Sequence, residues 1–413
     1  MKLYSDLARY QGNEALFEAV EMSIVSTLAG LPLHVHAEGL RGTGKTTIFR
    51  SAAGVMPTIT RIKGCLYNCD PAEPHCPEHR NLSPEEIDRI GTEEILMPFL
   101  EISHSAKIGT VAGSIDLAKI TDKTHPEAAL LPGIIPQAHR GIIFIDEINR
   151  LADTSPEITD ILLDVMGTKP GRVQIEETGL AAVEVPVQVS VWAASNPDED
   201  PGPLSDVRKQ LSDRFDLVID MGRPDKVEAV AGILRQNRQR RTKSSTRAGL
   251  SHRGNEQVRK RLLAAAEMLD DLWVPDYVED LLAEVYVKFG IESLRAVEAA
   301  QLGAQIRAAL HKRHHVEVYD VVAVLPWALN HRVFPERLEE ILTYLKERRF
   351  TTEKPQGSSR DRESQKTTGS LARIFGSGRV KSGPKETQPA PPKPARPISE
   401  LAVDEAVATE GDL

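Results

Sequence analysis

A glycine-rich segment near the amino end has the residue types and spacing that bind phosphate groups. Its pattern is G-x-x-x-x-G-K-[ST], and its residues are Gly39, Leu40, Arg41, Gly42, Thr43, Gly44, Lys45 and Thr46. An apolar run at 33–37 precedes the segment and a helix-compatible run begins at Thr47, which is the context that the pattern requires. In such a loop, backbone N–H groups surround the β-phosphate, Lys45 adds a positive charge and Thr46 offers a hydroxyl to Mg²⁺. The segment predicts a binding site for ATP and Mg²⁺.

A pair of carboxylates, Asp146 and Glu147, follows the apolar run 142–145. Ligands of open α/β sheets collect at the carboxyl ends of the strands, so we expect this pair beside the phosphate-binding segment. We predict that Asp146 holds Mg²⁺ together with Thr46. Glu147 would orient and deprotonate the water that attacks the phosphate. The alternative is a pair of structural carboxylates that ends a strand.

Asn196 and three arginines are further candidates for catalysis. Asn196 follows the apolar run 187–194, and its amide would position the attacking water against the γ-phosphate. Arg208 and Arg214 precede the next apolar run, from where a cation could reach a neighbouring subunit's γ-phosphate and stabilise transition-state charge. A surface salt bridge is the alternative for both. Arg295 begins a helix of the carboxyl-terminal half and would report nucleotide state to that half.

All three cysteines of the chain fall within one short stretch, as Cys65, Cys69 and Cys76. Together with His79 or His75 they could complete a tetrahedral zinc site. The spacing is looser than the common C-x₂-C pattern, so two other interpretations stay open. The stretch could contain a redox-sensitive thiol, or it could be a loop with no chemistry of its own.

Composition excludes several classes of protein. Of the 413 residues, 40% are hydrophobic, which is enough for a folded core. Three cysteines exclude a disulfide scaffold. The net charge of −9 argues against a protein that coats nucleic acid through bulk charge. The sequence shows neither an apolar run long enough for a membrane-spanning helix nor the pattern of a signal peptide, so we expect a cytoplasmic protein.

The order of apolar runs and helical stretches predicts an α/β architecture. Short strand-like runs at 33–37, 142–145, 187–194 and 215–219 alternate with helical lengths, as in a parallel sheet covered by helices. The later part of the chain has helical periodicity, and the end is rich in proline and polar residues. The predicted organisation is an α/β nucleotide-binding core at 1–221, a helical connector or insert at 222–256, an all-helical domain at 257–335, and an extension at 336–413 that is disordered from about 351.

These motifs resemble those of the AAA+ ATPases, and within them the I subunit of magnesium chelatase. Segment 39–46 resembles the Walker A motif and 142–147 the Walker B motif. Segments 111–116 and 172–185 resemble two more discriminating features of the family, a V-x-G-[ST]-[LI]-D signature and the hairpin before the sensor strand. Segment 211–215 resembles Leu-Leu-Asp-Arg-Phe, with a serine in place of the second leucine.

The resemblance implies a P-loop AAA+ core with a helical lid, assembled into a ring, with ATP at the subunit interfaces. It implies a hexamer and an adaptor subunit with a von Willebrand A domain. ATP hydrolysis would drive metal insertion or the remodelling of a partner complex. A MoxR-type chaperone, which matures proteins or metal cofactors with a similar adaptor, is the alternative. A nucleic-acid remodelling ATPase is a third, and the acidic charge counts against it.

Overall fold

The structure is a computed structural model, and it describes residues 2–115, 130–167, 170–175, 183–241 and 245–352. The described residues belong to one unit, Met1–Asp361. The segment 353–413, which includes most of the predicted disordered tail, lies outside the described residues. So do the last residue of the predicted signature, position 116, and the middle of the predicted hairpin, 176–182.

Eleven strands and fifteen α-helices make up the described part of the chain. The strands are β1 Val35–Glu38, β2 Thr58–Ile62, β3 Thr92–Leu96, β4 Phe99–Ile102, β5 Gly113–Ile115, β6 Leu130–Pro132, β7 Gly141–Asp146, β8 Gly171–Ile175, β9 Val183–Val187, β10 Val189–Ser195 and β11 Leu217–Asp220. The helices are α1 Glu14–Leu28, α2 Lys45–Ala52, α3 Pro84–Ile90, α4 Ile108–Val111, α5 Ile134–Gln137, α6 Ile148–Thr154, α7 Pro156–Gly167, α8 Leu204–Val207, α9 Lys209–Ser212, α10 Val227–Arg241, α11 Ser245–Met268, α12 Asp276–Lys288, α13 Leu294–Leu310, α14 Val318–Leu329 and α15 Pro335–Thr352.

The central sheet has five parallel strands in the order β11-β1-β10-β7-β4. Every residue of β10 is buried, and so are the first five residues of β7. Helices cover both faces of such a sheet, which is why its strands are near-continuous apolar runs. The prediction of a parallel α/β fold is confirmed. Strands β8 and β9 pair antiparallel, as expected for the hairpin.

Strands β1, β7, β10 and β11 begin and end within two residues of the predicted apolar runs. The fifth strand of the sheet, β4, was not predicted. It has four residues, lies at the edge of the sheet, and contains Glu101, which forms an ion pair with Arg50 on the surface. A short edge strand with an exposed charge lacks the continuous apolar pattern that identifies buried strands.

Helix α1 connects the sheet to the helical part of the chain. It packs on the central strands and also on α11 and α13. Gly303 of α13 lies close to both α14 and α1, since a Cβ atom added there would lie 2.5 Å from Val324 Cγ1 and 3.1 Å from Met22 Cε. The buried apolar residues of the sheet's α1 face and of α11–α15 form one continuous cluster.

A buried carboxylate joins the helical part to α1 through arginines. Asp320 is fully buried, and its oxygens accept hydrogen bonds from Arg307 Nη1 at 2.8 Å and from Arg313 Nη1 at 2.5 Å. Arg307 Nε also donates to Glu18 Oε1 of α1 at 2.7 Å. Because a buried charge is tolerated when it is paired and hydrogen-bonded, these contacts fix α13 and α14 against α1.

The predicted junction at residues 256 and 257 falls inside α11, which continues through it without a break. The other predicted domain limits stay predictions. Among the described helices, none has both the length and the apolar character that crossing a bilayer requires.

The close approach at Gly303 generates a test of the packing. We expect Gly303→Ala to lower the free energy of unfolding by about 1–3 kcal/mol, because the added methyl group overpacks the contact with Val324. Gly232→Ala on α10 is the matched control, since a Cβ there meets no atom within 4 Å and alanine favours the helix by up to about 1 kcal/mol. Urea denaturation of both variants measures the difference. Equal stability of the two would contradict the packing described for α13.

Candidate functional site

A cavity of about 440 Å³ opens at the carboxyl ends of β1, β10 and β7. Because β10 lies between β1 and β7 and all three strands are parallel, the segments that follow them meet at one edge of the sheet. The cavity is lined by Arg41, Gly42, Gly44, Lys45, Thr46, Thr47, Asp146, Glu147, Asn149, Arg150, Ala194, Ser195, Asn196, Glu199 and Asp200.

The glycine-rich segment forms a loop between β1 and α2 with Lys45 folded onto it. Gly42 and Gly44 have φ values of 77° and 98°, which residues with a Cβ rarely adopt. Lys45 Nζ donates to the carbonyl oxygen of Leu40 at 2.9 Å and also to that of Gly39. Burial lowers the pKa of Lys45, and the nearby carboxylate of Asp146 opposes that effect. The amine thus points into the loop, where it can exchange these carbonyls for phosphate oxygens.

Thr46 and Asp146 meet across the cavity, as predicted for a pair that holds Mg²⁺. The Thr46 hydroxyl donates to Asp146 Oδ1 at 3.2 Å. Arg50 Nη2 lies 3.7 Å from the other carboxylate oxygen. A hydroxyl and a carboxylate are hard oxygen ligands of the kind that Mg²⁺ binds through one or two protein groups while it keeps its waters. The donor set therefore fits Mg²⁺.

Glu147 stands at the turn from β7 into α6 with φ 54° and ψ 50°, a left-handed conformation that is uncommon for a residue with a side chain. Its Oε2 pairs with Arg150 Nη1 at 3.0 Å on the next turn of the helix. Both residues line the cavity. The turn thus places the Glu147 carboxylate at the cavity beside Asp146, with Arg150 holding it.

Asn196 reaches the cavity from the end of β10, and its amide already has a partner. Its Nδ2 donates to Glu199 Oε1, and the same carboxylate oxygen pairs with Arg41 of the phosphate-binding loop. Asn149 Nδ2 donates to the carbonyl oxygens of Asn196 at 3.4 Å and Gly202 at 2.9 Å, and so fixes this turn. The sequence analysis missed Glu199 and Asn149. Glu199 pairs with Arg41, which is distant in the chain, and Asn149 binds carbonyl oxygens of a different loop.

The three predicted arginines lie outside the cavity of their own chain, since none is among its described lining residues. Arg208 forms an ion pair with Asp160 of α7. Arg214 and Arg295 are close together beside Gly167, the last residue of α7. Arg295 Nη2 donates to the Gly167 carbonyl at 2.7 Å, and burial together with Arg295 lowers the pKa of Arg214. The roles of these arginines in catalysis stay predictions.

Arg332 is a positioning residue that the sequence did not identify as such. It follows α14, is largely buried, and reaches the turn that contains Arg214. Its Nε donates to Asp213 Oδ1 at 3.1 Å, and its Nη2 donates to the carbonyls of Asp213 at 2.7 Å and Phe215 at 2.9 Å. Four N–H···O contacts from a planar guanidinium, one of them to Ala328 near the end of α14, fix the turn against the helical part.

The structure also brings the cysteines together, away from the cavity. Cys65, Cys69, Cys76 and His79 are all buried, and their ligand atoms lie within 4.8 Å of one another. His75 is the second histidine of this region, with Nδ1 3.3 Å from Cys69 Sγ.

Burial perturbs two titratable groups on β1, next to the phosphate-binding loop. His36 is fully buried with Nε2 2.9 Å from Ser195 Oγ, and burial lowers its pKa to about 3, so it is neutral at pH 7. Burial, with Asp220 nearby, raises the pKa of Glu38 to about 7. His36 is thus a packed structural histidine, whereas Glu38 changes charge near neutral pH.

Comparison with known proteins gives consistent similarities along the chain. Residues 279–350, which span most of α12 to α15, match the AAA lid domain family. The magnesium-chelatase 38 kDa subunit of Acidiphilium rubrum is 31% identical over 348 residues, which cover 83% of this chain and 94% of that protein. The corresponding subunit of Cereibacter sphaeroides is 29% identical over 331 residues, 80% of this chain and 92% of that protein. A chain from a solved complex of the BchI and BchD subunits of magnesium chelatase is 26% identical, covers 82% of this chain and 98% of its own, and has a TM-score of 0.41.

The raised pKa of Glu38 predicts a pH-dependent stability. Its folded pKa of about 7 lies above its ordinary value of 4.5, so the folded state binds the proton more tightly. The free energy of unfolding should therefore fall as the pH rises from about 4.5 to about 7. We expect Glu38→Gln to be more stable than the unchanged protein by about 1–3 kcal/mol at pH 8, with the difference shrinking toward pH 4.5.

Urea denaturation of the nucleotide-free protein across this range measures the effect. Glu184→Gln is the control, because it neutralises a solvent-exposed carboxylate on β9 and should leave the pH dependence unchanged. A Glu38→Gln profile parallel to that of the unchanged protein would disprove the role of Glu38.

Proposed function

The chain belongs to the magnesium-chelatase I (38 kDa) subunit family of AAA+ proteins. We propose that it hydrolyses ATP in a ring of identical subunits. The observation that supports hydrolysis most directly is the convergence of Lys45, Thr46, Asp146, Glu147 and Asn196 on one cavity. Binding alone would need only the phosphate loop and the magnesium ligands. Glu147 and Asn196 are the groups that would act on an attacking water.

Binding begins at the phosphate-binding loop. Lys45 Nζ would leave the carbonyls of Gly39 and Leu40 and pair with the β- and γ-phosphates, while the loop N–H groups and the amino end of α2 bind the phosphate oxygens. Thr46 and Asp146 would hold Mg²⁺, which neutralises phosphate charge when it is bound. Arg50 keeps the Asp146 carboxylate oriented from the other side.

Glu147 would then act as the general base. Its carboxylate lies at the cavity and is held by Arg150, so it can accept the proton of a water placed in line with the γ-phosphate. Asn196 would orient that water once its amide leaves Glu199. A γ-phosphate and the Glu199 carboxylate are both acceptors, so nucleotide binding would compete for the same amide.

The positions of the arginines support the proposed ring. Arg214 and Arg295 lie together outside the cavity of their own chain, and both are partly exposed. A second copy whose cavity faces this pair would gain two cations for the charge that develops on the γ-phosphate. Arg208 lies on the same side of α7 through its contact with Asp160 and would be the third such group. We propose a hexamer, the ring size that the family resemblance implies.

The names of the relatives support a proposal for the coupled process, and the family resemblance implies the partner. They are subunits of magnesium chelatase, so we propose that this chain is the ATPase component of a chelatase-type complex. ATP hydrolysis in the ring would drive metal insertion by a partner, through an adaptor subunit with a von Willebrand A domain. Co-purification of such a subunit with the chain from its native host tests this part of the proposal.

Glu147→Gln tests hydrolysis itself. The amide keeps the size of the side chain but cannot accept a proton, so we expect ATP binding to persist while turnover falls by about 10²–10⁴-fold. Phosphate release under saturating ATP, with nucleotide binding measured separately, gives both quantities. Glu157→Gln on α7 is the matched control and should retain full turnover, because that carboxylate is exposed and outside the cavity. Undiminished turnover in Glu147→Gln would remove this residue from the mechanism.

Mixing of variants tests the shared site. Arg214→Ala subunits should bind ATP yet hydrolyse it poorly, and Lys45→Ala subunits should bind it poorly. In mixed rings, an Arg214→Ala cavity that faces the intact Arg214 of a Lys45→Ala neighbour is complete, so part of the ATPase activity should return. The control mixes Arg214→Ala with the double variant Lys45→Ala/Arg214→Ala, which offers no arginine and should restore nothing. Normal activity of Arg214→Ala alone would show that this residue does not act across the interface.

A further inference from the structure

The loop between β2 and α3 contains the group of cysteine and histidine side chains that the proposed ATPase mechanism does not use. We propose that Cys65, Cys69, Cys76 and His79 hold a structural zinc ion, which fixes this loop beside the amino end of β7. These four residues lie outside the described lining of the cavity, so a metal bound there would take no part in nucleotide chemistry.

The four ligand atoms lie close enough together to bind one ion. Cys65 Sγ lies 4.0 Å from Cys76 Sγ, Cys76 Sγ lies 3.0 Å from His79 Nδ1, and all four atoms lie within 4.8 Å of one another. With zinc–sulfur bonds of about 2.3 Å, two sulfurs of a tetrahedral site lie about 3.8 Å apart. Three thiolates with one imidazole form one of the common ligand sets of structural zinc, and soft sulfur ligands disfavour Mg²⁺.

Backbone N–H groups hold the Cys69 sulfur in place. The N–H groups of His75 and Cys76 both point at Cys69 Sγ, each at 3.4 Å. These two contacts fix the sulfur at its position among the other ligand atoms. Nearby, Arg61 Nη1 donates to the carbonyl oxygen of Cys65 at 3.0 Å, which brings a cation next to a site of net negative charge.

The loop has no regular secondary structure and a small apolar cluster, so a crosslink would add to its stability. Between the end of β2 at Ile62 and the start of α3 at Pro84 it contains turns and bends but neither helix nor strand. Long loops without regular structure are uncommon inside folded domains. The small buried cluster beneath it has seven members, and three of them are the cysteines. So few apolar contacts contribute little free energy to the ordering of the loop. A metal ion bound by these side chains would contribute more.

The fixed loop contacts the segment that leads into β7. Asn68 Nδ2 donates to the Gln137 carbonyl at 2.6 Å, and Asp70 pairs with Arg140 Nη2 at 3.0 Å. Arg140 Nη1 in turn donates to the carbonyl of Thr60 in β2 at 2.6 Å. Gln137 and Arg140 stand just before β7, at the end of the sheet opposite the cavity. Zinc would therefore support the amino end of β7, the strand whose other end presents Asp146.

Metal analysis of the full chain decides the proposal. Protein prepared without chelator should contain about one zinc per chain, and its zinc X-ray absorption should show three sulfurs and one nitrogen. Cys69→Ser and His79→Ala should each reduce the zinc retained after dialysis at least about tenfold. His75→Ala is the matched control: it removes the neighbouring imidazole, which contacts Cys69 Sγ but is outside the four-ligand set, and it should keep the metal.

The unchanged protein alone also provides a test, should a variant fail to fold. Removal of the metal with a chelator should expose the loop between β2 and α3 to proteolysis while ATP still binds, and added Zn²⁺ should restore protection. Zinc far below one per chain would overturn the proposal. So would a mass two hydrogens lighter with a disulfide between Cys65 and Cys76, or three freely titratable thiols in the native protein.

Discussion

The site depends on one constraint of the sheet, the position of β10 between β1 and β7 with all three strands parallel. Residues Glu38 and Ser195 are paired in register, as are Ala194 and Asp146, so the three strands end level with one another. The loop after β1, the amide after β10 and the carboxylates after β7 must therefore occupy one edge. The hydrogen bond between Thr46 and Asp146 spans that edge.

The positions of Arg214 and its neighbours depend on a second constraint, which comes from the helical part. Arg332 binds the turn around Arg214 from behind, and Arg295 binds the end of α7 beside it. The surroundings of Arg214 are therefore built from both halves of the chain, whereas the described lining of the cavity comes from the α/β half. In the proposed ring, this division would let each half of an interface site be altered separately.

Much of the core was predictable because it depends on local patterns. Consecutive residues identify the phosphate-binding loop, four buried strands and the acidic pair. The structure has the four strands near their predicted positions, and it places the loop and the acidic pair at the cavity. Contacts between distant residues were not predictable. The ion pair of Glu199 with Arg41 and the hold of Arg332 on the Asp213 turn need the folded chain, and neither produces periodicity or a motif.

The cysteines show the same limit at a finer scale. Their residue types made a metal site one of three interpretations, with His79 or His75 as the fourth ligand. The two are four residues apart in the same loop, and the fold places a ring nitrogen of His79 within 4.8 Å of all three sulfurs. Edge strand β4 was missed for a related reason, because exposure on one side dilutes the apolar signal of so short a segment.

The contacts of α1 with the helical part have a consequence for motion. Gly303 lets α13 approach Met22 closely, and Arg307 bridges Glu18 of α1 and the buried Asp320. Sliding α13 along α1 would separate Arg307 from Glu18 and break the close contact of Gly303 with Met22. The first helix of the core and the lid are therefore expected to move as one rigid body. In the proposed ring, movement driven by nucleotide would then fall at the joints between neighbouring copies, with each nucleotide between two such bodies.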